Sequence, residues 1–400
     1  MRRGVGWFAC VGLLLGGVAL LALYGVGVAT ASDRVEAGSE YGSVAAFGLV
    51  GVLAGGALAV LLGRANARRP LRFPPIWLGA IIFACAVGLG FVVHLYEWVV
   101  FAAPALVVAA LLGLGIVIGR FVTRWLPGRR ADARVVLISL LWGMTGAVAL
   151  TLMLQMAAGL SLLAGVVGGV ALADPELLEG AGLRDLLDEI ADDPSGGGLE
   201  SLINTPTVAF GLMAMIAVIA PLTEELTKAF GATLVVRGHA FTLYNAFLGG
   251  AMGGLGFALV ENVGYVMADP VTWPQLMLLR APVSIIHVAA AALVAVGWYL
   301  QRTRGGLALL WFYLAAVIVH GGWNALFGAL LLVSSGALDG EDPSVAASLL
   351  SLVLVGAMGA VLLGSFSWVL MNARRLAAAV PPGRVGVGAE HGALALAGTP

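Results

Sequence analysis

Between residues 221 and 324 the chain sets carboxylates, imidazoles and amides at spacings that could activate water inside an apolar medium. Glu224 and Glu225 stand side by side, followed at helical spacing by Lys228, the only lysine among 21 basic residues. Glu261, Asn262 and Tyr265 come next, then Arg280, Ser284 and His287, then His320, Trp323 and Asn324. Neighbouring carboxylates cannot all ionise cheaply in low dielectric, so one is kept protonated and can act as an acid while another stays a base. Two histidines and a glutamate are alternatively the ligands of a catalytic zinc, with a remaining glutamate as general base. In that case His287, His320 and Glu261 would hold the metal, and zinc would be the only cofactor. Spacing alone leaves both chemistries open.

These groups sit in a chain that is 60% hydrophobic and 11% charged, with a mean hydropathy of +1.01, far too apolar for the surface of a water-soluble domain. A helix needs about 20 apolar residues to cross the hydrocarbon core. Ten such runs occur, near 5 to 29, 43 to 63, 75 to 95, 98 to 120, 135 to 158, 207 to 236, 243 to 267, 276 to 300, 307 to 332 and 345 to 371. Unbroken runs of this length exclude a β-barrel. The expected fold is therefore all-α, a polytopic transmembrane bundle of about ten spans with its chemistry in spans six to nine.

The expected organisation has five N-terminal spans over 1–173 and an extracytoplasmic acidic loop over 174–206 with a short amphipathic helix near Leu183–Ile190. A chemically equipped membrane domain over 207–371 and a disordered cytoplasmic tail over 372–400 complete it. Arginines cluster in alternate loops and acids in the others, which places both termini in the cytoplasm of a multi-pass cell-membrane protein. The first apolar run, ending at Ala29-Thr30-Ala31, resembles a signal peptide but is longer than a signal core and is read as an uncleaved span. A net charge of −1 gives no electrostatic footprint for nucleic acid. The two cysteines, Cys10 and Cys85, both fall inside spans.

Within spans six to nine the helical period puts partners on one face, Glu224 with Lys228, Glu261 with Tyr265, Ser284 with His287 and His320 with Asn324. Counting at 1.5 Å per residue from the cytoplasmic ends, Glu225, His287 and His320 lie roughly 16 to 20 Å deep, near mid-membrane. An ionised side chain there costs roughly 2.5 to 3.5 kcal/mol on the insertion scale, so such residues are functional candidates. A structural Glu–Lys pair or a packing histidine would explain any one of them, but not four consecutive spans equipped alike. Pro221 removes a backbone donor just before the acids and loosens the helix there. The stripe Gly249, Gly250, Gly253, Gly254 and Gly256 suits close helix packing. His94, Glu97, His239 and His391 fall in loops or the tail and are read as solvated.

The series Glu224-Glu225-x-x-Lys228, Phe257-Ala258-x-x-Glu261-Asn262, Arg280 with His287, and His320-x-x-Trp323-Asn324 resembles the PrsW family of intramembrane proteases. That family belongs to the clan of the type II CAAX prenyl endopeptidases. The resemblance covers residues 221 to 324, and Glu261 stands where the prenyl endopeptidases commonly have histidine, which argues against a prenyl-protein substrate. It implies hydrolysis of a peptide bond in or beside the bilayer of a membrane-anchored protein such as an anti-sigma factor. Glu224, Glu225, His287 and His320 would be needed for catalysis. In the clan's glutamate scheme His320 and Asn324 steady the oxyanion, whereas the family's metalloprotease label implies a metal. Lys228, Asn262, Arg280 and Trp323 would be supporting residues, with Lys228 against Glu224. Two other functions fit part of the pattern. A catalytically silent scaffold, like the Aph subunit of gamma-secretase to which the clan appears related, would not need the glutamate pair. An ion-coupled transporter would be expected to show duplicated halves, and none is seen.

Overall fold

The computed structural model describes residues 3–63, 70–93, 96, 99–126, 131–173, 206–236, 242–334 and 344–379. The expected amphipathic helix near Leu183–Ile190, the tail beyond 379, His94, Glu97, His239 and His391 lie outside these residues.

The fold is all-helical as expected. Helices α1 (Arg3–Thr30), α2 (Arg34–Glu40), α3 (Gly42–Gly63), α4 (Ile76–Val93) and α5 (Val99–Thr123) are followed by α6 (Ala133–Trp142), a π-helical turn Gly143–Ala147 and α7 (Val148–Ala173). Then come α8 (Pro206–Ala214), a second π-helical turn Met215–Ile219, α9 (Ala220–Lys228), α10 (Phe230–Val236), α11 (Leu243–Val266), α12 (Trp273–Arg304), α13 (Ala308–Ser334) and α14 (Val345–Ala378). Pro70–Leu71 and Ala131–Asp132 form a two-residue antiparallel pair, the one departure from helix among the described residues' regular elements. Nine helical stretches among the described residues are long and apolar enough to cross a membrane. The third expected span, α4, has 18 residues, about 27 Å at 1.5 Å per residue, a little under the hydrocarbon thickness.

Two compact units emerge, and their boundary falls inside four helices, α7, α9, α13 and α14. In the first unit (Met1–Val148, Leu226–Ala316 and Leu362–Pro400), glycines let backbones touch. A Cβ on Gly17 of α1 would lie 2.7 Å from the Gly48 carbonyl of α3, and one on Gly79 of α4 2.7 Å from the Gly113 carbonyl of α5. The centre of this unit is α11, with 83% of its span buried against 11% for α1. Its glycine stripe faces several neighbours. Gly250 and Gly254 meet the α12 backbone, Gly253 the Lys228 carbonyl, and Gly256 the Leu140 carbonyl. The stripe thus serves the packing role expected of it, and it brings α11 against the helices that carry Lys228 and His287.

A methyl group at Gly254 would fall on the His287 carbonyl. Gly254→Ala is therefore expected to destabilise the protein by about 1–3 kcal/mol through overpacking. Gly264→Ala on the same helix, where nothing lies within 4 Å, is expected to be neutral. Thermal unfolding of the two variants in detergent checks the difference.

The second unit comprises Ala149–Glu225 and Val317–Val361, and the expected single span 207–236, which runs from it into the first at Leu226, is interrupted twice. In the Met215–Ile219 turn the Ala220 N–H reaches back five residues to the Met215 carbonyl. The next residue in line is Pro221, which has no N–H to donate. This is the loosening before the acids that the proline implied. A second break occurs at Ala229, directly after Lys228, where the backbone closes a tighter turn through Ala232 N–H to the Ala229 carbonyl at 3.1 Å.

Candidate active site

In the second unit α9 presents Glu224 and Glu225 inward, with Glu225 wholly buried and Glu224 nearly so. Leu226, the next residue, is 48% exposed. The helix α13 faces them with His320, whose Nδ1 lies 2.8 Å from Glu225 Oε1 and 3.8 Å from Glu224 Oε2. An ionised carboxylate only accepts hydrogen bonds, so with Glu225 charged His320 donates through Nδ1–H and keeps Nε2 as its lone-pair nitrogen. Gln155 of α7 donates through Nε2 to Glu224 Oε1 at 3.3 Å. Asn324, one turn beyond His320, donates through Nδ2 to the Ile216 carbonyl at 2.9 Å. Trp323 between them is partly buried.

In the first unit a second polar group forms around His287 of α12. Lys228, at the end of α9, is fully buried, its ammonium 2.9 Å from His287 Nδ1 and 4.2 Å from the centre of the Phe257 ring. An ammonium has no lone pair, so Nδ1 is the acceptor and the ring proton sits on Nε2. That nitrogen lies 2.9 Å from Glu261 Oε2, which Arg280 approaches to 3.1 Å. Arg280 Nε donates to Asn262 Oδ1 at 3.1 Å, and Asn262 Nδ2 donates to Ser284 Oγ at 3.1 Å. The Arg280 guanidinium stacks 3.8 Å over Tyr265, which is half exposed. Trp142 Nε1 donates to the Thr227 carbonyl at 2.9 Å, tying the end of α9 to α6.

The structure thus brings His287 to Glu261 and Lys228, and His320 to Glu224 and Glu225. It spends Glu261 on Arg280 and His287. Gln155 was missed in the sequence reading, which attended to ionisable groups; the one carboxamide in the apolar run 148–173 was the available signal. The lysine carrying a half-site of its own on His287 was not visible from helix spacing either.

Glu224, Glu225 and His320 each offer a ligand atom, within 4.8 Å of one another and buried. Carboxylate oxygens with an imidazole nitrogen suit zinc or a similar divalent cation, so the donor set fits a metal. A family model described as PrsW family intramembrane metalloprotease matches residues 197–358. This region is PrsW-like. All the residues of both polar groups except Gln155 and Trp142 fall within the match, and residues 1–196 fall outside it. No curated protein and no solved structure matches the chain. The PrsW-like region includes several of the helices that are long and apolar enough to cross a membrane.

Proposed function

We propose that this protein is an intramembrane endopeptidase whose catalytic region, 207–371, hydrolyses a peptide bond in or beside the bilayer of a membrane-anchored substrate of the anti-sigma-factor kind. The observation that carries the reading is the wholly buried Glu225 held by His320 at 2.8 Å within the PrsW-like match. Glu225 takes a proton from water as the water oxygen attacks the scissile carbonyl carbon, then passes it to the amine nitrogen as the C–N bond breaks. His320 orients that carboxylate, and Gln155 steadies Glu224 beside it. A divalent cation held by Glu224 and His320, with Glu225 left free as the base, would supply Lewis acidity toward the scissile carbonyl.

His287 falls in the PrsW-like match and is assigned a part in the chemistry on that ground, its tautomer fixed by Lys228 and Glu261, with Arg280, Asn262 and Ser284 holding Glu261. Asn324 and Trp323 complete the α13 side.

The test is cleavage of a membrane-anchored reporter by the purified protein in liposomes, with metal content measured on the same preparation. Cleavage is expected in wild type, and His320→Ala is expected to lose both cleavage and any bound metal. A wild-type preparation that is folded but cleaves no membrane-anchored reporter would sink the reading. Chelator sensitivity with stoichiometric metal selects the metal-assisted form; full activity in metal-free protein selects the glutamate form.

The arginine-rich loops support a topology in the cell membrane with both termini cytoplasmic and the segment 174–206 outside. Cysteine introduced at Ser195 is expected to react with an impermeant maleimide on intact cells. Reaction only after permeabilisation would reverse the topology.

A further inference from the structure

The π-helical turn before the glutamates leaves the Ile216 carbonyl with no donor from its own helix. At five-residue spacing its partner would be Pro221, which has no N–H. At four-residue spacing it would be Ala220, whose N–H is spent on the Met215 carbonyl. Asn324 Nδ2 fills the position at 2.9 Å. On the same helix, α13, a Cβ at Gly321 would fall on the Ala217 carbonyl, so the backbones touch at the turn itself, and His320 grips Glu225 six residues after it. The α13 helix therefore holds the segment at the bulge and beyond it.

A π-helical turn takes in one residue more than an α-helical one. Closing it would rotate everything after it by about 100°. That is the angle between consecutive residues, so Glu225, with no exposure, would swing to the direction of Leu226, which is 48% exposed. We propose that Asn324 is a positioning residue that holds the Met215–Ile219 turn open and so sets the direction in which Glu224 and Glu225 point. Its consequence for catalysis rests on the protease reading; its geometry does not. This role is distinct from steadying an oxyanion, which would leave the helix phase alone.

The experiment uses the full chain with Cys10 and Cys85 replaced by serine, a single cysteine at Leu226 labelled with a bimane fluorophore, and liposomes containing brominated lipid. With Asn324 present the label faces lipid and is quenched. Asn324→Leu, an apolar isostere with no donor, is expected to lower that quenching at least about twofold, as the turn closes and rotates the label by about 100°. With the native Leu226 restored, the same substitution is expected to lower kcat on the reporter about a hundredfold with KM little changed, the scale of a misplaced catalytic group. Asn324→Gln, which keeps the carboxamide donor, is expected to restore wild-type quenching and part of kcat. Unchanged quenching in folded Asn324→Leu overturns the proposal, whatever happens to cleavage. Should Asn324→Leu fail to give a monodisperse protein, Asn324→Ala removes the donor with a smaller side chain and is read by the same two outcomes. Because quenching needs no cleavage, an inactive wild type would refute the protease reading while leaving this measurement decisive.

Discussion

Glu225→Gln is expected to lower reporter cleavage by about 10²–10⁴-fold, the range general-base catalysis supplies, while the protein still accumulates and stays folded. The substitution keeps the shape of the side chain and leaves an oxygen to accept from His320 Nδ1, now 2.8 Å away. It removes only the capacity to take a proton from water. Burial makes the effect large, because no solvent base can reach a position with no exposed surface. Cleavage by the purified variant in liposomes, beside thermal unfolding in detergent, checks it. Wild-type cleavage would remove Glu225 from the chemistry, and joint loss of cleavage and folding would make its bond to His320 structural.

Lys228→Met is expected to lower stability by about 3 kcal/mol, from a buried acceptor left without its donor together with a desolvated cation–π contact. The acceptor is His287 Nδ1 at 2.9 Å and the ring is Phe257 at 4.2 Å. Losing the ammonium also releases the tautomer of His287, so any folded fraction should turn over poorly. Lys228→Arg keeps the charge and a donor but brings a planar fork into a site with no free surface, where Gly253 already touches the Lys228 carbonyl. It is expected to cost turnover about tenfold through displacement of His287, with a smaller loss of stability than Met. Unfolding midpoints and initial rates for the two variants separate these effects. Wild-type turnover in Lys228→Arg would mean that charge alone matters and that the lone lysine is an accident of composition.

The sequence by itself determined that the chain is a helical membrane protein and which four stretches, in which order, bear the ionisable and polar groups. Apolar runs of spanning length admit only helices in lipid, and a period of 3.6 residues puts Glu224 with Lys228 and His320 with Asn324 on single faces. It also carried the glycine stripe, whose close-packing role follows from the absence of side chains. Partners across helices were decided only by the tertiary structure. Helical period fixes which residues share a face, but not how far that face is turned toward a neighbour. Backbone contacts at Gly253 and Gly254 draw α11 against the Lys228 and His287 carbonyls. Hence Lys228 meets His287, and Glu261 lies between His287 and Arg280. Likewise Asn324 donates to the carbonyl of Ile216. A proline's missing hydrogen can be read from the sequence, but the group that takes over its hydrogen bond comes from residue 324, more than a hundred positions away, and only packing brings it there.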